Sequence, residues 1–195
     1  MYALRLPVVE ASEDTSGRNA VDVEALVRRA GAGDHGAFAS LYKLHSPRVY
    51  ALSLRLCGDA NDAAEVTQDT FVSVWQRLST FRQESDFGTW VHRIAVNSAL
   101  ERLRSDRRRQ AYVTSAPMLE LVSFADSDAR LDERLDLEQA LGRLPQLART
   151  VFVLREIEGY PYAELSGLLD MTEVALRAQV YRTRKAIIQM LEHPS

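Results

Sequence analysis

The chain has 195 residues, 46% of them hydrophobic, with a formal net charge of −3 and one cysteine, Cys57. That length allows one large domain or two small ones, and a lone cysteine excludes an internal disulfide and fits a reducing cytoplasm. No apolar run approaches the roughly 20 residues needed to cross a bilayer, Met1 to Glu10 lacks the pattern of a secretory signal, and the negative sum argues against indiscriminate binding to nucleic acid.

Glycine and proline are scarce while Ala, Leu, Arg and Glu abound, which favours helix over sheet. Residues 1–21, with Pro7, Gly17 and a Ser/Thr/Asp/Glu cluster, have no sustained periodicity and read as a loose extension. Helical signal begins near Val21 and breaks at Gly31-Ala32-Gly33, where Asp34 is placed to cap the next helix. That helix runs from Ala37 to about Cys57 with Pro47 inside it, and Gly58 to Asn61 form a turn.

A third helix, Asp62 to Leu78, has Val66, Thr70, Val74 and Leu78 at i+4 spacing, and Asp62, Glu65, Asp69 and Gln76 on its other side. An aromatic-bearing loop to Phe87 leads into a long helix, Gly88 to about Arg109. Its spacing puts Arg93, Asn97, Arg104 and Arg108 on one flank, while Arg102, Arg107 and Arg109 add further positive charge. Residues 111–130, with Pro117 and scattered acids, read as a linker. Further helices follow over Leu131 to Leu141, Pro145 to Glu158, Tyr162 to Leu169 and Thr172 to Leu191. Only Asp170 and Met171 separate the last two, which is helix-turn-helix spacing.

The expected fold is therefore all-α: two small helical domains, residues 22–110 and 131–193, on a flexible linker. An acidic helix face suits a protein partner, and arginines beside aromatics suit nucleic acid whose bases unstack. The four histidines show no metal-ligand spacing, and no phosphate loop or nucleophile elbow is present, so no cofactor, metal or catalytic group is assigned. Cys57 reads as a small core residue, and Trp75 and Trp90, at helical spacing, also read as core.

Three stretches carry a resemblance: Gly33-Asp34 with Ala37 to Tyr42; Asp62-Ala63 with Glu65 to Phe71; and Gly88 to Asn97. They look like region two of the bacterial sigma-70 family. Leu144-Pro145 with Val151-Phe152, then Glu158 to Tyr160, Glu164-Leu165 and Arg177 to Lys185, look like region four. In this order and separation they resemble a small sigma factor of the extracytoplasmic-function group, over about Val23 to Arg109 and Asp132 to Leu191.

The resemblance implies an alternative sigma factor that binds RNA polymerase core, recognises two promoter elements and promotes DNA melting. It implies that Asp62, Glu65, Gln68 and Asp69 dock on the clamp coiled coil of the core, and that Leu144 to Glu158 hold the flap. Arg82, Ser85, Asp86 and Phe87 would line a pocket for a base flipped from the minus-ten element, while Arg93, Asn97, Arg104 and Arg108 contact the same element. Glu173, Arg177, Tyr181, Arg184 and Lys185 would face the minus-thirty-five element. The acidic linker would mimic nucleic acid in the polymerase channel, and an anti-sigma factor is an expected partner.

The chain departs from the family pattern twice. Asp170 stands where a Gly is usual, in a turn that needs left-handed backbone, and Val174-Ala175 replaces a Gly-Thr pair, removing a hydroxyl from the start of the recognition helix. A ligand-responsive helix-turn-helix regulator, acting without polymerase core, is the alternative reading. An enzyme built on the acids of the third helix is a further one.

Overall fold

A computed structural model of the protein describes residues 22–113 and 133–192. The expected extension, the linker from residue 114 onward and the last three residues lie outside the described residues. Within them the chain is helical, without strand. The first body comprises α1 (Val23–Gly31), α2 (His35–Cys57), α3 (Ala60–Arg77), a 3-10 turn (Leu78–Thr80) and α4 (Phe87–Val113). The second comprises α5 (Glu133–Gly142), α6 (Gln146–Phe152), a π turn (Val153–Ile157), α7 (Tyr162–Leu169) and α8 (Glu173–Glu192).

Short acidic side chains start the first three helices by accepting from backbone N–H groups that have no intrahelical partner. Asp22 accepts from Ala25 at 2.9 Å, Asp34 from Ala37 at 3.0 Å, and Asp59 from Asn61 and Asp62 at 2.8 and 3.0 Å. Helix α2 runs through Pro47 and stops at Gly58, whose φ of 76° continues the chain left-handed. The i+4 row of α3 turns inward as its spacing predicts, burying Val66, Thr70, Val74 and, past its end, Leu78. The Thr67 and Thr70 hydroxyls are satisfied locally, each donating to the carbonyl four residues back at 2.7 Å. Helix α4 contributes Val91, Ile94, Ala95, Val96, Ala99, Leu100 and Leu103, and extends beyond the Arg109 expected from sequence.

In the second body α6 widens into the π turn, where Glu158 N–H bonds the Val153 carbonyl at 2.9 Å. The turn offsets Glu156 and Glu158 from the ideal helical path. Asp170 takes φ 52° and ψ 47°, the left-handed conformation that the short link between α7 and α8 requires. The hydroxyl of Ser166 donates to the Met171 carbonyl at 2.7 Å, and Thr172 caps α8 by accepting from Ala175 at 3.2 Å.

The buried residues of both bodies form one continuous apolar cluster, because the carboxyl end of α2 packs against α6. Leu41 is fully buried in the first body. Leu41→Ala should lower stability by about 2–5 kcal/mol, the cost of the lost burial plus a cavity, measured as a lower urea midpoint with little change in slope.

Candidate functional site

Helix α3 presents the expected docking residues in two states. Gln68 and Asp69 are exposed. Asp62 and Glu65 instead bind Arg102 of α4, whose guanidinium nitrogens lie 2.6 and 2.5 Å from their carboxylates and whose Nε lies 3.3 Å from Asp106. Beside Gln68 an open groove between α2 and α3 is lined by Phe38, Tyr42, Phe71, Val72 and Trp75. Trp75 is half-buried, stacked on His35 at 5.0 Å and edge-on to Phe38 at 4.8 Å. The exposed Gln68 and Asp69 and the aromatic groove therefore lie side by side on one surface.

Arg93, Asn97, Arg104 and Arg108 are all exposed on a single flank of α4. At 3.6 residues per turn Arg102 lies roughly 120–180° around the helix from them. Helical phase therefore separates the arginine that meets the α3 acids from the arginines that can meet phosphate. Glu101 sits among the flank residues and reduces their net charge.

The loop before α4 is built differently from the expectation of an open polar pocket. Phe87 is buried, with its ring 5.2 Å from His45, 5.7 Å from Phe81 and 5.8 Å from Trp90. It anchors the loop to the core and presents no free face. Asp86 starts α4, accepting from the Thr89 backbone at 2.9 Å and from the Thr89 hydroxyl. Those two bonds, the hydroxyl's first, hold its carboxyl below the usual range. Arg82 is exposed, 4.0 Å from Glu84, and Ser85 is half-buried. Between them Gln83 holds a φ of 57°, a left-handed conformation uncommon for a residue with a Cβ.

On α8 the residues expected to read the minus-thirty-five element share the exposed side. Tyr181 is 71% exposed and Val174 78%, so a large apolar surface stands free there, with Lys185 exposed beyond it. Glu173 pairs with Arg177 at 3.1 Å, and the Arg177 guanidinium also lies over the Tyr162 ring, 4.3 Å from its centroid. Arg184 is bound by Glu156 from the π turn. Tyr181 and Lys185 are thus the readily available members, while Arg177 and Arg184 would exchange internal partners for DNA.

Arg149, His92 and Glu158, none of them expected from the sequence to do so, join the two bodies. The Arg149 guanidinium is buried and donates to the Cys57 carbonyl at the end of α2 at 2.6 Å. His92 of α4 meets Glu158 at 2.9 Å and the Tyr160 hydroxyl at 3.4 Å. Burial alone would raise the Glu158 carboxyl, but the hydrogen bond and charge of His92 outweigh it and leave it lowered. Burial pushes the Tyr160 hydroxyl up to about 12 and the Cys57 thiol up to about 11, so the thiol stays protonated and is no nucleophile. Among the described residues no group of His, Cys, Asp and Glu is arranged to hold a metal, and no helix is long and apolar enough to cross a membrane.

Two family models match the chain. That of sigma-70 region 2 covers residues 41–109, and that of sigma-70 region 4 covers residues 134–187. The ECF RNA polymerase sigma factor SigM of Mycobacterium tuberculosis is 30% identical over 87% of this chain and 84% of its own length. This chain belongs to the sigma-70 family, among the extracytoplasmic-function sigma factors. The RNA polymerase sigma-H factor of Pseudomonas aeruginosa is also 30% identical, over 87% of this chain and 93% of its own.

Two solved structures share the fold. The sigma factor RpoE of Bartonella quintana, in complex with the anti-sigma factor NepR, aligns with a TM-score of 0.53 at 21% identity, over 80% of this chain and 96% of its own. CnrH, in complex with the cytosolic domain of CnrY, aligns with a TM-score of 0.50 at 25% identity, over 89% and 99%. In this sigma factor, then, α1–α4 include region 2 and α5–α8 include region 4, with the helix-turn-helix in α7 and α8.

Replacing Asp170 by Gly removes the Cβ that opposes left-handed backbone, partly offset by the entropy of glycine in the unfolded chain. Asp170→Gly should raise stability by up to about 1 kcal/mol, and Asp170→Val should lower it by at least as much. Thermal unfolding of the two variants beside the parent checks both signs.

Proposed function

We propose that this sigma factor holds polymerase core through α3 while α4 and α8 hold promoter DNA, bringing specificity to an enzyme that makes the RNA. The chain itself performs no covalent chemistry and works in the cytoplasm. The observation that carries the reading is the phase of α4. Its exposed arginine flank points away from Arg102, so the α3 surface and the DNA surface can be occupied together.

At the α3 surface, Gln68 and Asp69 meet the cationic side of the clamp coiled coil, while the groove at Phe71 and Trp75 receives an apolar side chain beside it. Asp62 and Glu65, engaged by Arg102, would have to exchange it for the partner. Opposite charge across such an interface sets orientation and association rate more than final affinity. Within Leu144 to Glu158, whose stretch from Ala148 to Leu154 is buried, the remaining surface residues form the second core contact, on the flap.

At the minus-ten element, Arg93, Arg104 and Arg108 bind phosphates and Asn97 reads a base edge. A base leaving the stack costs a few kcal/mol, returned when it enters the loop of Arg82, Gln83 and Ser85. Asp86 and Phe87 fix that loop by capping α4 and anchoring in the core. Tyr181 and Lys185, with Arg177, Arg184 and Glu173, serve the minus-thirty-five element. The domains are residues 22–110 and 131–193, joined by a tether and preceded by an extension. A solved structural neighbour, the sigma factor RpoE, in complex with the anti-sigma factor NepR supports a partner of that kind here.

Reconstituted transcription with purified core on a genomic fragment library tests the whole. The wild-type chain should bind core and open a subset of fragments; failure to join core overturns the reading. Asp69→Arg should weaken core binding on the order of tenfold, chiefly through association. Arg108→Ala should weaken promoter binding evenly across sequences and reduce the salt slope by about one, while Asn97→Ala should relax preference at one position.

A further inference from the structure

Helix α8 buries Leu176, Val180, Thr183 and Ile187 against the rest of the second body. At 3.6 residues per turn, Val174, Ala178, Tyr181 and Lys185 fall within roughly 60° of one another on the side turned away from that row. The charged side chains along the edges of this stripe have internal partners. Glu173 pairs with Arg177, which also covers the Tyr162 ring; Arg184 is bound by Glu156, and Arg182 donates to Gln179 at 2.8 Å. The Thr172 hydroxyl is taken up in capping the helix at Ala175. What the start of α8 holds out to solvent is therefore the isopropyl group of Val174, 78% exposed.

An exposed valine at that place matches one feature of duplex DNA. The first residues of a recognition helix are the ones that reach base edges in the major groove. Valine has no donor or acceptor, so it can neither hold a phosphate nor read a base by hydrogen bonds. The apolar group that a base pair displays in the major groove is the 5-methyl of thymine. Farther along the stripe, Ala178 is small enough for the helix to lie close to the groove floor. Tyr181 and Lys185 then supply a hydroxyl and an ammonium, groups that suit phosphate. An apolar residue at the base-reading end and polar ones beyond it fit DNA better than an apolar protein partner.

We infer that Val174 reads a thymine of the minus-thirty-five element through its 5-methyl group and determines specificity at that base pair. The inference deepens the reading of α8 as the helix that meets this element, and rests on it. Burial of one methyl group is worth about fourfold in binding, so the contact sets a preference at one position and leaves overall affinity to the cationic residues.

Deoxyuridine lacks that methyl and keeps every hydrogen-bonding group of thymine, which gives the test. Holoenzyme made from purified core and the full chain is titrated against its preferred promoter. Each thymine of the minus-thirty-five element, on either strand, is replaced in turn by deoxyuridine. For wild type one replacement should weaken binding about fourfold. Val174→Ala should weaken binding to the thymine promoter by a similar factor and be indifferent to deoxyuridine at that position, so the two losses do not add. Lys185→Ala should weaken binding to all these duplexes evenly and keep the wild-type sensitivity. Circular dichroism checks that both variants keep their helix content, as exposed positions should. A wild type indifferent to deoxyuridine at every position overturns the inference, and so does Val174→Ala with undiminished sensitivity. Weaker core binding by Val174→Ala, with the response to deoxyuridine unchanged, would make the valine a protein contact and overturn it too. If wild type fails to join core yet selects a duplex sequence alone, the same comparison on that duplex decides the role of Val174, and only the polymerase part of the proposed function falls. A chain that selects no sequence in either setting overturns both.

Discussion

One guanidinium organises the first body. Arg102 projects from α4 among Asp62, Glu65 and Asp106, tying the start of α3 to the middle of α4 and turning the rest of α4 to a fixed phase. Burial alone would lower this guanidinium, but Asp62, Asp106 and Glu65 together outweigh it and hold it above its ordinary value. The charge-assisted bonds also neutralise part of the α3 face. That face is consequently less acidic than its composition implies, and its free polar groups shift toward Gln68 and Asp69, beside the aromatic groove. A partner helix that relied on charge alone would find two of the four expected positions already engaged.

Much of this architecture was legible in the sequence because it depends on local rules. Asp34 caps α2 as its position before an apolar periodic run requires, and the i+4 row of α3 is buried. The helix-turn-helix followed from the two-residue spacing at Asp170 and Met171, and the left-handed backbone of Asp170 followed from its place in a turn where the resembling family has glycine. The alignment of Arg93, Asn97, Arg104 and Arg108 needed only helical phase.

What the sequence did not disclose is long-range. Arg149 lies 92 positions from Cys57 and His92 lies 66 from Glu158, and no local pattern marks either pair. Phe87 was read as a stacking surface because an aromatic in a polar loop suits a base, yet three other rings enclose it. Arg102 looked like one more phosphate contact in a basic helix. The signal that separates it was present in the sequence: it is four residues from Asp106 and out of phase with the arginine flank.

The junction between the two bodies is unusual in its chemistry, because a cation sits in a continuous apolar core. A buried cation is costly unless its partner returns what water supplied. Among the described residues Arg149 has no carboxylate within ion-pair distance; it has a helix-end carbonyl, and its Nε lacks a bond. Burial lowers the guanidinium from its ordinary value. The positive charge gains from the negative end of the α2 dipole and from carbonyls that have no intrahelical partner. Desolvation of the guanidinium offsets some of the gain from the apolar area buried around it, so the ion itself contributes geometry more than stability. A leucine at 149 would pack the same surfaces with no such cost. The arginine in the middle of an otherwise apolar contact therefore fixes how the two bodies meet, through a bond that only this carbonyl and this guanidinium make.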